Sequence, residues 1–165
     1  SSLARLVHPL APGIATLSIA LALGTTSAGL AGDPRHEEGL PDSGGTYLKV
    51  VVTGVAHARG RIGYRVYDGP GSWMKPERWV RSGFVDAQPG DVSFELLDLP
   101  PGLYGVTVYH DENDNGVLDT GFLGRPTEGH GFSRDATAAL GPPPFAAASV
   151  HVPVQGARIT LRMDY

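Results

Sequence analysis

The sequence predicts an all-β domain of short antiparallel strands, and three observations carry that expectation. Glycine (23) and proline (14) are abundant among the 165 residues, a composition that favours many turns. Short runs rich in valine and tyrosine alternate apolar with polar side chains, the two-residue period of a half-buried strand. No βαβ rhythm, internal repeat or glycine-rich phosphate loop interrupts them, which argues against nucleotide-binding α/β folds.

The chain opens differently. Arg5 and His8 precede an apolar run from Leu10 to Gly24, followed by the small residues of "TTSAGLAGD". A weakly basic start, a short apolar stretch and a small-residue exit are the pattern of a secretory signal peptide, here residues 1–31 with cleavage after Ala28 or Ala31. Pro12 and Gly13 break the run and leave it short of the ~20 apolar residues of a membrane span. The mature protein is therefore expected to be periplasmic or secreted, with no membrane span. Residues 32–45, "GDPRHEEGLPDSGG", lack apolar periodicity and are expected to be a flexible linker before a β-domain over 46–165.

Within the domain, "YLKVVVTGV" alternates as a strand, and "ARG" turns it towards "RIGYRVYDG", so the two are expected to form a hairpin. "PGSWMKPERWVRSG" contains proline and is expected to be irregular, with Trp73 and Trp79 capping the open end of a core. "DVSFELLDL" and "LYGVTVYH" are strands either side of "PPG"; Tyr104, Val106 and Val108 should face inward, and Gly105, Thr107 and Tyr109 outward. "AAASVHVPV" and "ARITLRMDY" should close the fold as a pair around "QG". About seven strands with turns between them point to an immunoglobulin-like antiparallel β-sandwich.

Composition excludes several chemistries. With no cysteine, disulfides, thiolate metal sites and cysteine nucleophiles are ruled out. The net charge is −4 and the 13 Lys and Arg residues form no stripe, so nucleic acid is not an expected partner.

The chemistry-bearing stretch is "HDENDNGVLDTG". From Asp111 it runs D-x-N-x-N-G-x-x-D, with side-chain oxygens on Asp111, Asn113, Asn115 and Asp119, a glycine at Gly116 and the Val117 carbonyl next in turn. Alternate residues of a tightly curled loop point inward, so these oxygens converge while Glu112 and Asp114 face solvent. Hard oxygen donors without sulfur suit calcium. Phe122 stands where a helix-loop-helix site places a glutamate, so this is not an EF-hand; Glu128 is the candidate for the missing carboxylate. Asp, Asn and Gly also build metal-free turns, and the same residues fit that reading. Beyond the loop, Phe122, Leu123, Phe132 and Phe145 are expected to pin a long connection onto the domain.

"LPPGLYGVTVYHDENDNGVLDTGFLGRPTEGHGFSRDA" followed by "GPPPFAAASV" resembles the bacterial domain of unknown function 2141, over about residues 46–165. The matching positions include Leu99, Pro100, Pro101, Gly102, Tyr104, His110, Asp111, Asn113, Asn115, Gly116, Asp119, Glu128, Phe132, Ser133 and Phe145. The resemblance implies an exported, prealbumin-like or immunoglobulin-like sandwich and brings no activity with it.

Two classes of function compete. The first is a non-enzymatic, monomeric exported module that binds calcium weakly through Asp111, Asn113, Asn115, Val117, Asp119 and Glu128 and meets an envelope or extracellular partner. The second is a metal-dependent hydrolase built on His110, Asp111, Glu128 and His130, with Ser133 as a nucleophile candidate outside any G-x-S-x-G elbow. Carbohydrate stacking on Trp73, Trp79 or Tyr109 is a third class without a specific signal.

Overall fold

The structure is a computed structural model and describes residues 46–165. The signal peptide and linker expected over residues 1–45 lie outside them. The strands are β1 (Tyr47–Val55), β2 (Arg61–Tyr67), β3 (Arg81–Asp86), β4 (Gly90–Leu97), β5 (Gly102–Asp111), β6 (His130–Phe132), β7 (Ser149–Val152) and β8 (Ala157–Arg162). Eight strands among the described residues accord with the expected seven or so. They form an all-β sandwich: a three-stranded sheet ordered β4-β1-β8 faces a five-stranded sheet ordered β3-β2-β5-β6, with β7 also on β5.

The core lies between the sheets because each strand sends alternate side chains inward. Leu48, Val50 and Val52 of β1 and Leu161 of β8 meet Ile62 and Val66 of β2 and Val106 and Val108 of β5. Each such buried aliphatic side chain contributes roughly 1.5–3 kcal/mol relative to exposure.

Two expected pairings do not occur. β1 and β2 are not a hairpin: β1 pairs antiparallel with β4 and parallel with β8, whereas β2 pairs with β3 and β5. Likewise β7 pairs with β5 and β8 with β1, so the chain changes sheet at the Pro153–Gly156 turn. Alternation shows that two successive strands bury one face each. It does not distinguish strands side by side in one sheet from strands facing each other across a core. β3 begins within the segment expected to be irregular and runs three residues beyond it; it is an edge strand that buries little, so it left no apolar alternation to read.

Tyr104, Val106 and Val108 face the core as expected, but Gly105, Thr107 and Tyr109 are buried as well. Trp73 covers this second face. Its ring meets Tyr67 edge-on at 5.3 Å and Phe145 edge-on at 5.7 Å, and its Nε1 donates to the Pro143 carbonyl at 2.7 Å. A Cβ on Gly105 would lie 2.4 Å from the Trp73 ring, which is why that strand position is glycine. Trp73 therefore seals the outer face of the five-stranded sheet rather than the open end of the core. The Arg65 guanidinium carbon lies over Trp79, 4.8 Å from the ring centroid.

Phe145 is buried and Phe132 packs 6.1 Å from Trp73, so these two pin the long connection. Phe122 and Leu123 do not: they are 88% and 81% exposed. A short hairpin-like extension, held by Gly121 N–H to the Arg125 carbonyl and Thr127 N–H to the Asp119 carbonyl, carries them outward. Among the described residues no helix is long and apolar enough to cross a membrane.

Candidate functional site

Strand β5 ends in His110 and Asp111, both fully buried, and their side chains leave opposite faces of the sheet. Asp111 opens the candidate loop. Its Oδ1 accepts from Asn115 N–H (2.8 Å), and its Oδ2 accepts from Gly116 N–H (2.9 Å) and Arg61 Nε (3.1 Å). Arg61 comes from the paired end of β2, opposite Asp111 in the register. A carboxylate this buried is tolerated because a guanidinium and two backbone donors face it.

The remaining oxygens close on the loop itself. Asn113 Oδ1 accepts from Asn115 N–H (3.1 Å) and Asn115 Oδ1 from Val117 N–H (2.9 Å), two successive Asx turns. The side-chain amides of Asn113 and Asn115 point at Asp119, donating to its carboxylate at 2.7 and 3.0 Å. Gly116 takes φ +84°, the left-handed turn that this curl requires. Tyr109 Oη donates to the Gly116 carbonyl (2.9 Å), and the Val117 side chain is half exposed.

Glu128, expected to supply a further carboxylate, folds back onto this loop and meets backbone. Oε1 accepts from Glu112 N–H and Oε2 from Asp119 N–H, each at 2.9 Å. One buried carboxylate thereby ties the two ends of the curl together.

The five side chains assigned to calcium are thus gathered in one place, with every one of their oxygens already facing a donor. The hydrolase set is not gathered. His110 points to the sandwich interior while Asp111 and His130 lie on the outer face, where His130 sits opposite Tyr109. His130 Nδ1 is buried without a hydrogen-bond partner among the described residues, beside a cavity of about 120 Å³ that Arg162 and Asp164 also line. Ser133 is fully buried: its Oγ accepts from Val106 N–H (2.9 Å) and donates to the Ala148 carbonyl.

The family described as "Uncharacterized protein conserved in bacteria (DUF2141)" matches residues 50–160. The chain belongs to this family. Comparison with curated proteins and with solved structures gives no match. The match spans both sheets, and within it the DUF2141 block has visible structural roles. Tyr104 Oη donates to the Pro100 carbonyl (2.6 Å), locking the turn into β5, and Phe145 supports Trp73.

In this DUF2141 chain one cluster escaped sequence reasoning. Glu112 does not face solvent. It meets Arg59 Nη2 at 2.5 Å and His57 Nε2 at 3.1 Å, and the His57 ring lies 4.7 Å from that of His110. Burial raises the Glu112 carboxyl pKa, but the Arg59 hydrogen bond and the His57, His110 and Arg59 charges outweigh it and hold the group below its ordinary value. His110 is fixed at both nitrogens, by the Arg59 carbonyl at Nε2 and the Tyr165 hydroxyl at Nδ1, each 2.6 Å away. The one signal in the sequence was the histidine–arginine alternation of "AHARG", set where only a turn was expected. Asp114, also expected to face solvent, does so in part and pairs with Arg61 Nε at 3.2 Å.

Proposed function

We propose that the protein is an exported, non-enzymatic module of the cell envelope, binding or structural in role and monomeric. Its Asp111–Asp119 loop is a rigid brace for which calcium is a weak structural ligand. One observation carries this reading. Each side-chain oxygen of Asp111, Asn113, Asn115, Asp119 and Glu128 accepts a hydrogen bond from the loop or from Arg61. The loop is therefore shaped by its own donors. Calcium must compete with the Asx turns and share Asp111 with a guanidinium, which places affinity in the ~10⁻⁴ to 10⁻³ M range of extracellular modules.

A non-enzymatic role is supported by Ser133, whose hydroxyl is engaged at both sides with backbone of the fold. Two facing sheets whose first strand runs parallel to the last support an immunoglobulin-like or prealbumin-like class. The signal-peptide pattern over residues 1–31 supports a periplasmic or secreted location and an envelope or extracellular partner.

The test is thermal melting and calorimetry of the whole chain in millimolar calcium against chelator, for the parent and Glu128→Ala. Calcium is expected to stabilise by about 1.4 kcal/mol at tenfold excess over its dissociation constant. Glu128→Ala is expected to cost about 2–4 kcal/mol in both solutions, because two backbone donors lose a charged acceptor. A domain unfolded in chelator would overturn the self-braced reading. An unshifted melt would remove calcium from it.

A further inference from the structure

We propose that His57, His110 and Glu112 form a binding site for a zinc-class divalent cation, separate from the Asp111–Asp119 oxygens. The ligand atoms of the three side chains lie within 4.8 Å of one another. Nitrogens on a tetrahedral zinc are roughly 3.3 Å apart, given Zn–N bonds of about 2.0–2.1 Å, so the set closes by a movement of roughly 1.5 Å that falls to the partly exposed His57 and Glu112. Two imidazoles and one carboxylate, with no thiolate, suit a borderline cation and leave a fourth position for water.

The groups that would orient His110 towards a cation are already in place. Neutral His110 must donate from Nε2, because its partner there is the Arg59 carbonyl, an acceptor with no hydrogen of its own. Nδ1 is therefore the basic nitrogen. It receives the Tyr165 hydroxyl, whose oxygen in turn accepts from Ala56 N–H (2.9 Å). A backbone carbonyl that fixes one ring nitrogen is the usual support of a metal-binding histidine, and a cation at Nδ1 would displace the Tyr165 hydroxyl from its lone pair.

A cation also occupies this spot already. Arg59 Nη2 lies 2.5 Å from Glu112 Oε2 and 3.3 Å from His57 Nε2. Its side chain is 70% exposed, so it can swing into solvent at little cost when a metal takes its place. The three ligands come from the β1–β2 link and the end of β5, far apart in sequence and joined by the core, so the folded chain presents them together.

The experiment is zinc titration of the full chain by calorimetry, with cobalt as the spectroscopic probe of coordination. Parent protein is expected to bind one equivalent at this site, with tetrahedral-type cobalt absorption. His57→Ala and Glu112→Gln should each weaken zinc by about tenfold or more, since loss of even a supporting residue costs ten- to a hundredfold. Both positions are partly exposed, so the fold should survive, which circular dichroism checks. Arg59→Ala keeps the carbonyl that orients His110 and removes the competing guanidinium, so it should tighten zinc. Asn113→Ala, in the oxygen loop, should leave zinc affinity unchanged. No binding by the parent, or binding indifferent to His57→Ala, Glu112→Gln and Arg59→Ala alike, would overturn the proposal.

Discussion

Ser133→Ala isolates a gap in the sheet that the fold fills with a side chain. On the edge of β5 away from β2, β6 pairs with Thr107–Tyr109 and β7 pairs with Gly102–Gly105. Val106 falls between the two short strands, and its N–H on that edge meets no backbone acceptor. Ser133 Oγ accepts it at 2.9 Å and passes the bond on to the Ala148 carbonyl, one residue before β7. The hydroxyl thus acts as a missing rung joining β6 to β7. Alanine would strand a donor on a residue that is fully buried, at a cost of about 1–3 kcal/mol, and would lose the bond to Ala148, worth about 1 kcal/mol. The expected destabilisation is about 2–4 kcal/mol. With a urea slope of roughly 1–3 kcal/mol per molar, the midpoint should fall by about 1–2 M without a change in slope. Equilibrium unfolding followed by tryptophan fluorescence measures this, with exposed Ser82→Ala as a silent control. A midpoint within a few tenths molar of the parent would refute the bridging role, as would covalent labelling of Ser133 by a fluorophosphonate probe.

The long connection should respond unevenly to apolar loss. Phe122→Ser, at an 88% exposed tip, is expected to leave stability within about 0.5 kcal/mol, whereas Phe145→Ser removes the floor beneath Trp73 and should cost about 3 kcal/mol or more. Chemical denaturation compares them; equal effects would show that the tip is packed. Alkaline titration tests the tyrosines: burial raises the phenol pKa of Tyr67, Tyr104 and Tyr109 above its ordinary value of about 10. A group raised in the folded state contributes stability that is complete below its unfolded pKa and lost as pH climbs through the folded one. Phenolate absorbance should therefore lag for these residues and appear with unfolding. Tyr67, Tyr104 and Tyr109 ionising at the ordinary phenol value in an intact fold would contradict it.

Strand positions were legible from short β-branched and aromatic runs, as in β1, β4 and β5, although only β4 keeps its whole second face exposed. Pairing was not, because an inward alternation is shared by neighbours in a sheet and by partners across a core. The Ala56–Gly60 link illustrates this: its length permits a hairpin, yet it carries the chain from one sheet to the other. Short or exposed strands were also missed. β6 is three residues long and gains its place through β5 and Ser133, not through any apolar pattern of its own. Glycine carried more information than its turn propensity suggested. Gly105 interrupts a valine-rich strand, and such an interruption marks a ring or backbone pressed close; here it is Trp73.

The candidate site was legible as a place and ambiguous as chemistry, for one physical reason. D-x-N-x-N-G-x-x-D specifies a curl in which alternate oxygens turn inward, and an inward oxygen is satisfied equally by a cation or by an N–H. Sequence sets the oxygens; the loop's own N–H groups and amides meet most of them, and one donor, Arg61, comes from elsewhere. Arg61 arrives from β2 and Glu128 returns from a later stretch of chain, and neither can be placed by local spacing. Arg61 donates to Asp111, Glu128 accepts from the N–H groups of Glu112 and Asp119, and the two brace a turn that its own Asx bonds close. The alternation that sends Asp111 to the outer face also turns His110 inward, towards the His57 and Glu112 cluster. Spacing within one segment can show where oxygens gather, but only the sheet register shows which histidine a carboxylate will meet.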